Sequence, residues 1–213
     1  AKTLLGNIKS KDVNGSNILT DGDFTQNNSS HPDYAAPDYY KVFATVSGDS
    51  SWNSVYTNEY GQLTGNQNGT TGLIPDAVGN GSFGYDACRA PWRVGLDYCW
   101  SASSSASGFL TKMVAYFIST SASGMTPQNI KIPVPVGGGT GQFNSGAITG
   151  PAAIAAMMSA SNQTFVNNSY TYLYSLVNIA TSAGNLNYFS ATVGLISMLA
   201  LSGNFVDYTN PPP

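Results

Sequence analysis

Gly84-Tyr85-Asp86-Ala87-Cys88-Arg89-Ala90-Pro91-Trp92-Arg93-Val94-Gly95-Leu96-Asp97-Tyr98-Cys99-Trp100 holds both arginines, both cysteines and two of the three tryptophans of a 213-residue chain. Its apolar spacing reads as a helix that begins near Cys88 and runs to about Ser101. Asp86, Arg89, Trp92 and Arg93 then fall within about two helical turns. An arginine is costly to hold in a packed site unless carboxylates or a polar ligand answer it. Tryptophan supplies a flat face on which a sugar or a base stacks. In a chain with 9% charged residues, this concentration marks the segment as the first place to look for chemistry.

The pattern on either side of that helix is also helical. Upstream, Ser29-Ser30-His31-Pro32 leads into a predicted helix over 33–47 with Tyr39, Tyr40, Phe43 and Val46 on one stripe, and Ser50-Ser51 caps a second one carrying Trp52, Val55, Tyr56 and Leu63. Residues 64–84 are a Gly/Asn-rich loop around the apolar plug Gly72-Leu73-Ile74-Pro75-Asp76. Downstream come a helix over 108–120 (Leu110, Met113, Val114 and Phe117 inward), a long polar loop over 121–145, and helices over about 148–160, 163–181 and 188–202. The last two carry Tyr170, Tyr172, Leu173, Leu176 and Val177, then Val193, Leu195, Ile196, Leu199 and Leu201, with Gly203 as the stop signal before the terminal prolines 211–213. Strand signals are few. About seven helices in hairpins, joined alternately by short turns and long loops, give an all-α chain whose long loops build one face. Residues 1–213 are expected to form a single unit. Ala1-Lys2-Thr3-Leu4-Leu5 reads as the end of a helix, so an N-terminal part is expected to be missing.

Composition narrows the classes of function. Charged residues normally make up about a quarter of a chain, whereas here Ser, Thr, Asn and Gly take their place beside 13 tyrosines. Such a surface suits a secreted protein that meets neutral polymers. A formal net charge of −3 without a Lys/Arg cluster argues against nucleic acid, and no apolar run is long enough to span a bilayer. Cys88 and Cys99 lie about 16 Å apart along one helix, too far for a disulfide, and are expected as free buried thiols. Their spacing and the lack of nearby histidine leave no convincing metal site, and no cofactor is expected.

Tyr85-Asp86-Ala87-x-Arg89-x-Pro91-Trp92-Arg93, set beside His31-Pro32-Asp33-Tyr34-Ala35-Ala36-Pro37, resembles glycoside hydrolase family eight. The stretches Asp21-Gly22-Asp23 to Lys41-Val42-Phe43-Ala44, Gly72–Arg89, Gly146–Met158 and Tyr188–Phe205 are similar to that family in order and approximate spacing. The resemblance implies the C-terminal half of an (α/α)6 barrel built from helical hairpins, and inverting endo-hydrolysis of a β-linked polysaccharide (glucan, xylan or chitosan). It further implies that Asp86 is the general base and that Tyr34 helps hold the nucleophilic water. Tyr85 and Arg89 would line the cleft, and Tyr188 and Phe189 would serve as sugar platforms. Inversion needs a second carboxyl about 6.5–9.5 Å from the base. In the family this acid is a glutamate from the N-terminal half, so that half is the partner the resemblance implies.

Each residue also has a plainer reading. Asp86 fits a helix N-cap paired with Arg89 or Arg93, and the arginines fit interior struts as well as ligand contacts. Trp92 and Trp100, eight apart, read as core packing ahead of sugar stacking. His31 reads as a turn residue, and Asp76 and Asp97 as structural groups. Glu59, the chain's one glutamate, is expected on the exposed side of its helix. Without an acid, a second class of function stays open: a catalytically silent protein that self-assembles or binds polysaccharide.

Overall fold

The computed structural model describes residues 1–183 and 188–210; the Val177 side chain and prolines 211–213, which the sequence reading used, lie outside the described residues. The α-helices are α1 (Lys2–Asp12), α2 (Pro37–Ser47), α3 (Trp52–Gly65), α4 (Arg89–Ser101), α5 (Ser104–Thr120), α6 (Gly146–Ala156), α7 (Gln163–Ala183) and α8 (Tyr188–Leu201). The even-numbered helices form a continuous row in which α2 packs on α4, α4 on α6 and α6 on α8. Helices α3, α5 and α7 fold back onto this row as the other arms of the hairpins, and α1 lies on α2. The expected all-α hairpin architecture is therefore present.

The row is held together by small residues. Every residue of α6 is buried, as in a helix surrounded by neighbours on all sides. A Cβ on Gly95 would come within 2.9 Å of the Ile154 side chain, and one on Gly150 within 2.2 Å of Ser197 Oγ, so α4 and α8 reach α6 only across glycine. Leu73, Ile74 and Phe83 are fully buried and join the α4–α5–α6 core from the loop, as the apolar plug should. β1 (Ser82–Phe83) pairs antiparallel with β2 (Val134–Pro135) and ties the two long loops to each other.

The boundaries differ from the sequence reading for local reasons. The expected helix over 33–47 is broken into a 3-10 turn, Pro32–Tyr34, and α2. Ala36 precedes a proline and sits at φ −128°, ψ 67°, outside the helical region that Pro37 denies it. Helix α5 starts four residues earlier than expected, at Ser104, because Ser103 accepts the Ala106 N–H as its cap. Ser51 stands at the N-cap of α3 but makes no capping hydrogen bond with its side chain. Residues 2–5 do not end a helix as expected, since they lie in α1, which continues to Asp12.

Long segments 13–36, 66–88 and 121–145 lead into the first residues of α2, α4 and α6. Tyr34 before α2 meets Arg89 at the start of α4, and Tyr85 before α4 meets Phe189 at the start of α8. The N-terminal ends of the even-numbered helices are thus gathered at one end, with the long loops over them.

Candidate active site

Asp86 sits in the turn just ahead of α4, and Asp76 shapes that turn. Asp76 Oδ1 accepts the backbone N–H groups of Gly84 (2.8 Å), Asp86 (3.2 Å) and Ala87 (2.8 Å). The approach is so close that a Cβ on Gly84 would lie 2.3 Å from Asp76 Oδ2. The structural role expected for Asp76 therefore includes presenting Asp86. The same residue's backbone oxygen lies 2.9 Å from His31 Nδ1, which ties the turn to the loop before α2.

The Asp86 carboxylate is 48% exposed, and its Oδ1 lies 2.6 Å from Arg89 Nη2. Arg89 Nε donates to the Asp86 backbone oxygen as well, at 3.2 Å. The N-cap of α4 is Cys88, with no side-chain capping bond, so the capping role offered for Asp86 is overturned while its pairing with Arg89 stands. Arg89 engages Oδ1, and among the described residues no hydrogen bond is made to Oδ2. The Tyr34 ring lies against the guanidinium, its centroid 5.7 Å from the guanidinium carbon, and His31 stacks on Tyr34 with ring centroids 5.0 Å apart.

Arg89 has a second carboxylate. Asp33, in the Pro32–Tyr34 turn, is 0% exposed, and its Oδ2 lies 2.6 Å from the same Nη2. Arg93 Nη1 donates to the Asp33 backbone oxygen at 2.6 Å. Burial pushes the Asp33 carboxyl above the ordinary carboxylate range, opposed first by Arg89. Asp38, at the start of α2, is buried and pushed up to about 8 by desolvation, with Arg93 as its main opposing charge. Both arginines thus face buried carboxyl groups on the segment entering α2. Arg93 is an interior strut, whereas Arg89 joins a strut on one side to an exposed carboxylate on the other.

The structure brings Asp86, Arg89 and Tyr34 together and sets Tyr85 beside them in edge contact with Phe189, their centroids 6.2 Å apart at 71°. Tyr188, expected as a second sugar platform, opens α8 at 84% exposure and stands in solvent. Trp92 and Trp100 pack on the Leu96–Ile154–Ala200 cluster, with Trp100 stacked on Phe205, in keeping with the packing role. Asp97 is buried and accepts from the hydroxyls of Tyr56 and Tyr60 and from Lys41, so it ties α2, α3 and α4.

Two expectations are corrected. Glu59 is 3% exposed rather than on an outer face, because it shares a stripe with the fully buried Val55 and Leu63. Its Oε1 accepts the Leu19 N–H at 2.6 Å, and burial pushes it up to about 7. Both cysteines are free, but only Cys88 is buried; Cys99 is exposed near the end of α4, on the side facing the C-terminal tail. Among the described residues no group of His, Cys, Asp and Glu could hold a metal ion, and no helix is long and apolar enough to cross a membrane.

Asp33 is the group that sequence reasoning missed. It appeared only as a letter in a motif, although its place beside Tyr34 in a Pro-Asp-Tyr turn was a local hint.

Residues 4–203 match the family model for glycosyl hydrolases family 8. The chain is 31% identical over 216 residues to endoglucanase C of Ruminiclostridium cellulolyticum, covering 96% of this chain and 45% of that protein. It is 30% identical over 234 residues to a beta-glucanase of Niallia circulans, covering 97% of this chain and 55% of that protein. The apo structure of a beta-1,3-1,4-glucanase from Paenibacillus sp. X4 superposes with a TM-score of 0.83 at 28% identity, covering 97% of this chain and 60% of that one. The chain spans about half the length of the curated relatives it matches. With the motifs, the hairpin rows of an (α/α)6 barrel and these likenesses in agreement, the chain belongs to glycosyl hydrolase family 8.

Proposed function

We propose that this chain is the base-bearing half of a secreted, inverting endo-β-glucanase acting on β-1,4-linked glucan. The carrying observation is the Asp86 carboxylate, half-exposed and held by Arg89 on one oxygen, with the Tyr34 ring against that same guanidinium. In this reading the other oxygen takes a proton from a water that Tyr34 helps to hold. That water attacks the anomeric carbon while an acid on the opposite face protonates the departing oxygen. The Arg89 guanidinium holds the carboxylate in place at 2.6 Å. Tyr85, Phe189 and Tyr188 offer ring faces to the sugar chain. Glu59 is sealed beneath the surface by Leu19, so the acid is assigned to a complementary N-terminal segment packed against this chain.

The test compares hydrolysis of soluble β-glucan by this chain alone, and by the chain joined to a complementary N-terminal segment. Turnover is expected only from the joined protein, with Asp86→Asn lowering kcat by about 10³-fold and NMR showing the product released with inverted configuration. Unchanged turnover in Asp86→Asn, or retained configuration, overturns the reading. The burial of the single glutamate favours a second reading, a silent polysaccharide-binding or self-assembling protein. It predicts that the joined protein binds β-glucan without cleaving it.

A further inference from the structure

Arg89 uses one terminal nitrogen for two carboxylates, Asp86 Oδ1 and Asp33 Oδ2, each at 2.6 Å. We propose that Asp33 is a positioning residue: its buried carboxyl anchors Arg89 and sets how much of that positive charge reaches Asp86. The inference rests on the reading of Asp86 as the base.

Burial keeps Asp33 from touching a glycan, since none of its surface is accessible. Neither of its oxygens accepts a hydrogen bond of good geometry, so charge is what compensates it. Its turn is fixed from behind, where Arg93 holds the backbone oxygen, and from the side, where His31 Nδ1 lies 3.9 Å from Oδ1. The next residue in that turn is Tyr34, whose ring lies under Arg89. One buried carboxyl therefore links the element carrying the expected water-holding tyrosine to the element carrying the expected base.

The groups facing Asp33 are Arg89 and Arg93 from α4, Asp86 and the Cys88 thiol from the turn before it, and His31 from its own loop. Desolvation and Asp86 favour the protonated form; Arg89, Arg93 and His31 favour the ionised one. With Asp33 protonated, Arg89 turns its full charge to Asp86; with Asp33 ionised, the guanidinium is shared between the two carboxylates.

The chain has two arginines, so its Nε–Hε spectrum contains two such signals, and Arg93→Lys assigns them. The Arg89 signal of this chain is followed through pH in the wild type, Asp86→Asn and Asp33→Asn. An inflection above the ordinary aspartate range, near 4, is expected in the wild type. It should persist in Asp86→Asn and vanish in Asp33→Asn. Loss of the inflection in Asp86→Asn overturns the proposal, a comparison that does not depend on Asp33→Asn folding. In the joined enzyme, Asp33→Asn should lower kcat at least tenfold and leave KM within twofold. An equal loss through KM also overturns it. If no joined form hydrolyses glucan, the assignment of the base falls, and the titration still decides whether Asp33 governs Arg89.

Discussion

Glu59 and Asp38 are carboxyl groups in surroundings that favour their neutral forms, Glu59 at about 7 and Asp38 at about 8, both raised chiefly by burial. A carboxyl whose value is higher folded than unfolded contributes stability in full below its unfolded value, and loses it as pH rises through the folded one. For Glu59 that window runs from about 4.5 to about 7 and is worth on the order of 3 kcal/mol. Glu59→Gln keeps an acceptor for the Leu19 N–H and removes the titration. Thermal melts should place this variant level with the wild type near pH 5 and above it at pH 8; an equal offset at both pH values would show that Glu59 does not titrate there. The spacing of Val55, Glu59 and Leu63 puts Glu59 on the buried stripe, a signal that the expectation of an exposed glutamate passed over. Its partner was not legible, because Leu19 lies 40 residues away in a loop whose path no periodicity describes. Asp33 is a similar case: its ion pair with Arg89 spans 56 residues of sequence, while the local pair of Asp86 with Arg89 could be read directly.

At the scale of elements, hairpins whose helices carry one apolar stripe were readable, and α6 was readable only in part. Gly146-Ala-Ile-Thr-Gly-Pro-Ala-Ala-Ile-Ala-Ala156 is buried all round, so it lacks the polar face that dates the start and end of a stripe. The expected bounds of 148–160 slipped for that reason. The contact that fixes α6 against α8 lies at Gly150 and Ser197, where the side chain of Ser197 fills the space a Cβ would need. Gly150→Ala is expected to cost about 1–3 kcal/mol through overpacking, despite the better helix propensity of alanine. Ser197→Gly removes the colliding atoms, so the double variant should recover most of the loss. Urea unfolding of the four members of this cycle measures the coupling, and strictly additive effects would mean that the two helices do not meet through this pair.

For the whole molecule, the hairpin rows end at α8 with apolar residues turned outward. Leu195 is 55% and Leu199 41% exposed, and they follow Tyr188 at seven- and four-residue steps, which puts the three on one stripe. Tyr170 and Tyr174 are exposed on the neighbouring α7. A contiguous apolar face of this kind marks a surface that another element covers. The matched relatives are about twice as long as this chain, which agrees with a complementary segment as the occupant. Substituting Leu195→Glu together with Leu199→Glu places charge on two exposed positions of α8, so the isolated chain should keep its cooperative melt. The same pair of charges would have to be desolvated on docking, at a cost of several kcal/mol. Co-purification with a complementary N-terminal segment, and glucan hydrolysis by the joined protein, should therefore both fall at least a hundredfold. If the double variant assembled and turned over as the wild type does, the α8 stripe would not be the surface on which the two halves meet.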